Sequence, residues 1–565
     1  MASYFSALNP VKGFPEYHGP YDVGTVDVEI PTSDLPSPST APERAQPTIA
    51  FRMFYPCIKP AKDEADRPVR WIPSPQKIHL ASIMKYVGIS ERMAGLGSLL
   101  LRQLYWIKLP AHRNAKLLIP PTTNGRWPVT FFSHGLAGSR NAYSQLCGDL
   151  ASNGTIVIAM DHRDGSSPMQ YVRATATTEE HTVLPVSIPH APVNDEVYEA
   201  RDQQLRIRIW EMSMAYEALI KIDAGLNVEN LDMNTSRNRK ERMEVLWRFH
   251  DMMDIHRPGK VSWSGHSFGA ATVVQLLKSV HYYKDRTESD GKPLFTPNVE
   301  AAITQQVAPE SPAMFLDLWG LPLKSPQQKF LWDRPLPSYA VEGPDGANVL
   351  SILSGSFHNW KDNLTINKAV VARPSETRRP PAAPASHRER GTLLPAVVRL
   401  RAHSPADSGY GSAGSSERSV TPQRNQHSRT PSTQVGPERT AERTPGPHMF
   451  FIAQTQHFNQ SDYGVLFPYI TQKTTKAEEP ERCLDLNRRA MVQVMREAGL
   501  IGGDDDTEIL DRTSGLRKWN PVTSDGDEQE RLRSRAGATG SKGNEELATD
   551  GMNMDQMIEG QAQKQ

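Results

Sequence analysis

Through the first two-thirds of the chain, short unbroken apolar runs alternate with longer segments whose apolar residues recur at helical spacing. Trp127-Pro128-Val129-Thr130-Phe131-Phe132 predicts a buried strand that ends at Ser133-His134-Gly135. Ala142 to Ser152 predicts a helix. Thr155-Ile156-Val157-Ile158-Ala159-Met160 predicts the next strand, closed by Asp161-His162-Arg163-Asp164-Gly165. Gln204 to Ile222 predicts a long amphipathic helix. Val261-Ser262-Trp263-Ser264 predicts a strand, and Ala270 to Leu277 the helix after it. Further apolar runs lie at Pro312 to Leu316, Val349 to Leu353 and Met449 to Ala453. Strands alternating with helices imply a mostly parallel sheet with helices on both faces, an α/β architecture.

Composition changes this picture in two places. Of 565 residues only 38% are hydrophobic, and 45 prolines and 38 glycines are present, so part of the length cannot build a core. Residues 373–447, rich in Ser, Pro and Arg, predict a disordered insert. Residues 502–565 predict a disordered charged tail. The folded domain is then expected in two parts, 1–372 and 448–501, because strand-like sequence resumes at His448. A helix-spaced apolar stripe, Leu96 to Ile107, reads either as a helix packed on the core or as a lip that docks on a lipid surface.

Charge and cysteine count exclude more than they propose. The formal net charge is zero, which gives no electrostatic footprint for nucleic acid. Cys57, Cys147 and Cys483 form no disulfide framework. The N-terminal sequence has neither the basic nor the apolar region of a signal peptide, and no stretch reaches the roughly 18 apolar residues of a membrane span. The expectation is a cytoplasmic protein that makes at most peripheral contact with membranes.

The chemistry centres on Gly265-His266-Ser267-Phe268-Gly269. A serine at the apex of a strand-turn-helix, between glycines, is the nucleophile elbow of α/β-hydrolases. Such a serine needs an imidazole base oriented by a carboxylate, in chain order serine, acid, histidine. His457 and His358 both follow apolar runs. Counting strands favours His457, since the fold places its histidine after the last strand. Asp317 and Asp362 are equal candidates for the acid by position alone, whereas Asp345 lies in a Gly-Pro-Asp-Gly turn that turn chemistry explains. Oxyanion N–H donors are expected from Phe268 and from Leu136, in the loop after the first strand. No metal-ligand spacing and no Gly-rich nucleotide loop is present in the sequence, so neither metal nor cofactor is expected.

A set of ordered segments carries a family resemblance. It comprises Gly19-Pro20-Tyr21-Asp22-Val23-Gly24, Trp71-Ile72-Pro73, Phe132-Ser133-His134-Gly135-Leu136, Asp149-Leu150-Ala151-Ser152 and His162-Arg163-Asp164-Gly165-Ser166. It continues with the elbow through Thr272, Leu316-Asp317-Leu318-Trp319, Gln456-His457-Phe458-Asn459 and Asp485-Leu486-Asn487. In these the chain resembles the platelet-activating factor acetylhydrolases of the plasma and type II intracellular group, α/β-hydrolases of the group VII phospholipase A2 kind. The resemblance implies Ser267 as nucleophile, Asp317 as acid, His457 as base, and Leu136 and Phe268 as oxyanion donors. It implies a calcium-independent serine esterase that removes the short sn-2 acyl group of platelet-activating-factor-like phospholipids. The stripe near Leu100 falls where that family carries interface-binding helices. The long insert, extra residues ahead of Asp317 and the loop Leu136-Ala137-Gly138-Ser139 depart from the family pattern. Two other readings fit the residues: an esterase or lipase on other short-chain esters, and a non-catalytic interaction protein. The second rests on Ser-Pro and Thr-Pro sites in the insert, such as Ser404-Pro405 and Thr421-Pro422.

Overall fold

The computed structural model describes residues 12–61, 68–86, 103–373 and 444–522. The insert beyond its edges, the end of the tail and the part of the Leu96 to Ile107 stripe before Gln103 lie outside these residues. Thirteen strands are described: β1 (Asp22–Pro31), β2 (Thr48–Cys57), β3 (Pro68–Arg70), β4 (Lys108–Arg113), β5 (Val129–Ser133), β6 (Ile156–Met160), β7 (Gln170–Val172), β8 (His181–Val183), β9 (Val261–His266), β10 (Ala313–Leu316), β11 (Val349–Ser354), β12 (His448–Ile452) and β13 (Trp519–Pro521). Eleven of them form one sheet in the order β13-β12-β11-β10-β9-β5-β6-β2-β1-β4-β3, and β7 pairs with β8 separately. The stretch from β6 to β12 is parallel throughout. Both β1 and β6 run antiparallel to β2.

Five helices matter for the site: α1 (Ser144–Ser152), α2 (Asp195–Asp223), α3 (Phe268–Tyr282), α4 (Lys361–Val371) and α5 (Pro480–Glu497). Successive side chains of the central strands enter opposite cores. Val129 and Phe131 of β5 pack with the residues of α2 and α3, while Phe132 packs with those of α1 and α5. Ala313 and Phe315 of β10 divide from Met314 and Leu316 in the same way. A strand covered on both faces needs apolar residues at every position, which is why these strands read as unbroken apolar runs.

The antiparallel pair β1 and β2 lacks that signature. Its Asp27, Glu29 and Arg52 resemble surface positions in sequence but are buried. They belong to an internal ion network: Arg52 makes a bidentate pair with Asp27, Arg163 and Arg173 reach Glu29, and Arg140 and Arg173 reach Asp232. Burial opposes ionisation of Asp232, but Arg140 and Arg173 outweigh it and hold the carboxyl below its ordinary range.

The described end of the apolar stripe is divided between core and surface, and one boundary changes. Leu104 and Ile107, at the end of the apolar stripe, are core residues, whereas Trp106 is 69% exposed. The fold also continues past Gly502 as far as Val522. Ile509, Leu510 and Trp519 are buried there, and β13 covers the free edge of β12. Few apolar residues suffice because Trp519 stacks on Phe450 at 4.6 Å and its Nε1–H donates to Ile509 O at 2.9 Å. Composition averaged over a charged segment hides such single anchors. Trp519→Ala is expected to lower unfolding free energy by about 3 kcal/mol, read from urea denaturation; an unchanged midpoint would show that this edge does not contribute.

Candidate active site

The elbow serine stands between β9 and α3 with φ 56° and ψ −119°, in the sparsely populated left-handed half of backbone space. The flanking glycines are steric requirements. A Cβ on Gly265 would lie 2.5 Å from Gly269 C, and one on Gly269 would lie 2.0 Å from Ser133 O. The end of β10 braces the turn: Ser267 N–H donates to Leu316 O at 2.9 Å, and Trp319 N–H donates to Ser267 O at 3.4 Å.

Asp317 follows β10 directly and is fully buried. Its carboxylate accepts from Ser354 N–H (2.6 Å) and Ser354 Oγ–H (2.8 Å), and from His457 Nδ1–H at 2.8 Å. With Nδ1 donating, His457 Nε2 keeps a lone pair. The ring is stacked between Phe357 at 4.4 Å and His266 at 4.3 Å. Gln456 N–H donates to Asn459 Oδ1, and Asn459 Nδ2–H donates to Glu478 O, which fixes the loop that carries His457.

The structure therefore joins Asp317 to His457 and sets His266, the residue before Ser267, against the His457 ring. His358 instead stacks on Phe451 at 3.7 Å. Asp362 is exposed in the first turn of α4, and Asp345 pairs with Arg373 at 2.7 Å. Ligand atoms of His266, Asp317 and His457 fall within 4.8 Å of one another, a spacing that would also suit a metal ion. Both Asp317 oxygens, however, are engaged by Ser354 and His457.

Leu136 lies in the loop after β5, against the elbow: a Cβ on Gly135 would come 3.0 Å from Ser267 Cβ. Among the described residues neither the Leu136 N–H nor the Phe268 N–H has a hydrogen-bond partner. Both are available to an oxyanion beside Ser267. Beneath them runs a buried polar network. Arg208 of α2 pairs with Asp164 at 2.6 Å, donates to His134 O at 2.6 Å and covers the Phe268 ring at 4.5 Å. His162 lies 2.9 Å from both Ser133 Oγ and Glu211 Oε2.

Sequence reasoning missed four supporting residues: Tyr143, His266, Ser354 and Phe357. The Tyr143 hydroxyl accepts from Gly135 N–H at 3.2 Å and lies 2.7 Å from His266 Nδ1. Burial, together with His457, pushes His266 far below its ordinary pKa, so it is neutral. Ser354 did leave a signal. It closes β11, the strand end after which an alternative acid was sought, and it binds the acid instead.

An elbow between parallel strand and helix, a carboxylate–imidazole pair at the ends of two later strands, and this strand order define an α/β-hydrolase. A family model described as platelet-activating factor acetylhydrolase, isoform II, matches residues 6–335, more than half of the chain. The chain belongs to that family, a family of esterase-type hydrolases. A Schizosaccharomyces pombe protein titled "Putative phospholipase A2" is 26% identical over 530 residues, spanning 90% of this chain and 98% of that protein. The platelet-activating factor acetylhydrolase of Bos taurus is 29% identical over 264 residues, 46% of this chain and 51% of the bovine one. The solved ferulic acid esterase from Streptomyces cinnamoneus aligns over 90% of this chain and 98% of its own, with 13% identity and a TM-score of 0.40.

Two predictions test the site's construction. Gly269→Ala forces its Cβ onto Ser133, so the variant should either fail to fold or lose fluorophosphonate labelling; a folded, fully labelled variant would contradict this packing. Burial, aided by Asp164, pushes Glu211 up to about 8. Above about pH 7 unfolded histidines are neutral, as the buried ones already are. Between there and about pH 8 the folded chain keeps a proton on Glu211 that the unfolded chain has released. The Glu211 contribution to stability should therefore fall as pH rises through this window, by up to ~1.4 kcal/mol per unit, while buried Lys278, pushed down to about 7 by burial, contributes with the opposite sign. In denaturation curves at pH 7, 8 and 9 the stability of wild type minus that of Glu211→Gln should fall as pH rises; a difference independent of pH would overturn the assignment.

Proposed function

We propose that this protein is a calcium-independent serine esterase acting on phospholipids with a short sn-2 acyl group, such as 1-alkyl-2-acetylglycerophosphocholine. Ser267 is the nucleophile, His457 the general base and Asp317 the acid that orients it. The observation that carries this reading is the 2.8 Å Asp317–His457 pair, with its imidazole stacked on the residue before the elbow serine. The family and the names of the bovine and yeast relatives support the substrate class.

In this mechanism His457 Nε2 takes the Ser267 proton as Oγ attacks the ester carbonyl. The oxyanion that forms is bound by the Leu136 and Phe268 N–H groups. His457 then protonates the leaving lyso-lipid oxygen. In the second half it activates water to release acetate from the acyl-enzyme. Preorganised N–H donors and a base-activated hydroxyl take the roles that a metal fills in other esterases, so EDTA should leave activity intact. Lipid contact is proposed at the exposed Trp106, the described end of the predicted stripe.

The deciding assay is acetate release from 1-alkyl-2-acetylglycerophosphocholine in EDTA. Ser267→Ala should abolish it. Asp317→Asn should reduce kcat by roughly 10³- to 10⁴-fold, because the imidazole loses its orienting carboxylate. Ser267 that labels with a fluorophosphonate in a protein inactive on this lipid would keep the triad and overturn the substrate assignment. Loss of both would favour the interaction-protein reading.

A further inference from the structure

We infer that His134 is a positioning residue for the oxyanion site: its Nδ1–H aims the Gly135–Leu136 peptide so that the Leu136 N–H faces the reacting carbonyl. This rests on the reading of Leu136 as an oxyanion donor. A trans peptide is planar, so its C=O and N–H point in opposite directions. Whatever fixes the Gly135 carbonyl therefore fixes the direction of the Leu136 N–H.

His134 Nδ1 lies 2.8 Å from Gly135 O. The other ring nitrogen, Nε2, receives the backbone N–H of His162 at 3.1 Å. A backbone N–H can only donate, so Nε2 holds the lone pair and the proton is on Nδ1. The bond to Gly135 O is thus donated by the ring. Gly138 N–H adds a second bond to the same carbonyl at 3.2 Å. The peptide on the other side of Gly135 is held as well, through its N–H on the Tyr143 hydroxyl. Donation to a carbonyl also polarises its peptide and strengthens the N–H at the far end.

The ring has no room to turn. His134 is 1% exposed and lies 4.9 Å from the His162 ring, while Arg208 grips its backbone carbonyl. Burial and Arg208 push its pKa down to about 4. A second proton would sit on Nε2 and break the His162 bond, so the neutral ring preserves the arrangement across the working pH range.

The experiment compares wild type with His134→Asn and His134→Leu. The side-chain amide of Asn falls near the imidazole Nδ1 position and can still donate to Gly135 O; Leu fills similar space without a donor. In His134→Leu, kcat on the acetyl ester should fall roughly 10- to 100-fold, with KM barely changed. His134→Asn should recover most of that loss. The infrared carbonyl stretch of the acyl-enzyme should move to higher frequency in His134→Leu and back toward wild type in His134→Asn. If the Leu variant does not fold, His134→Gln, whose amide reaches the Nε2 position instead, serves as the comparison. A merely structural role would lower Tm in both variants without moving the carbonyl stretch of the folded fraction. Equal kcat losses with an unmoved stretch would overturn the inference. Absence of Ser267-dependent turnover in wild type would remove the reading of the site itself, and this inference with it.

Discussion

Gly269 sits so close to the end of β5 that no side chain could stand in its place; a Cβ there would overlap Ser133 O at 2.0 Å. This contact between the first turn of α3 and the loop after β5 positions everything else in the site. It sets Gly135 against Ser267, where a Cβ would come 3.0 Å from the serine Cβ. It also requires the serine to take a positive φ, because strand and helix must join within one residue of that contact. The strain is tolerated because the turn is braced on Leu316 O, the last residue of β10, and by Trp319 N–H just beyond it. The strand that braces Ser267 is followed directly by Asp317, so the elbow and this carboxylate share one support.

Beneath this apolar-looking elbow the protein buries Arg208, Asp164, Glu211 and Arg163. Arg208 links the loop after β5 through His134 O, the strand end after β6 through Asp164, and the elbow through the Phe268 ring. A buried ion is costly unless every bonding group is met, and a network that meets them is rigid for the same reason. The loop after β5 is held on three sides by such groups. Buried Asp462 extends the same logic to the far side, accepting from the Ser144 and Gln145 N–H groups at the start of α1 from a position five residues past His457. The loop that carries His457 is thereby tied to the start of α1.

The sequence by itself determined the central parallel sheet and the elbow turn, since each depends on local rules. Strands covered on both faces must be apolar at every position, and a turn with this contact must have glycine on either side of the serine. Strand counting also pointed to His457, the histidine that lies against Asp317 in the structure. What the residues alone left open was the choice between Asp317 and Asp362. In the structure Asp317 reaches His457, and the neighbouring strand ends in Ser354, which binds the same carboxylate. That choice belongs to side chains 140 positions apart, and no local pattern encodes it. The antiparallel edge was hidden for a related reason: Asp27, Glu29 and Arg52 look solvated until arginines from distant loops are folded against them. Sequence spacing fixes which backbone turns can form; only tertiary packing decides which charges meet, because a buried charge is tolerable only where the fold supplies its partner.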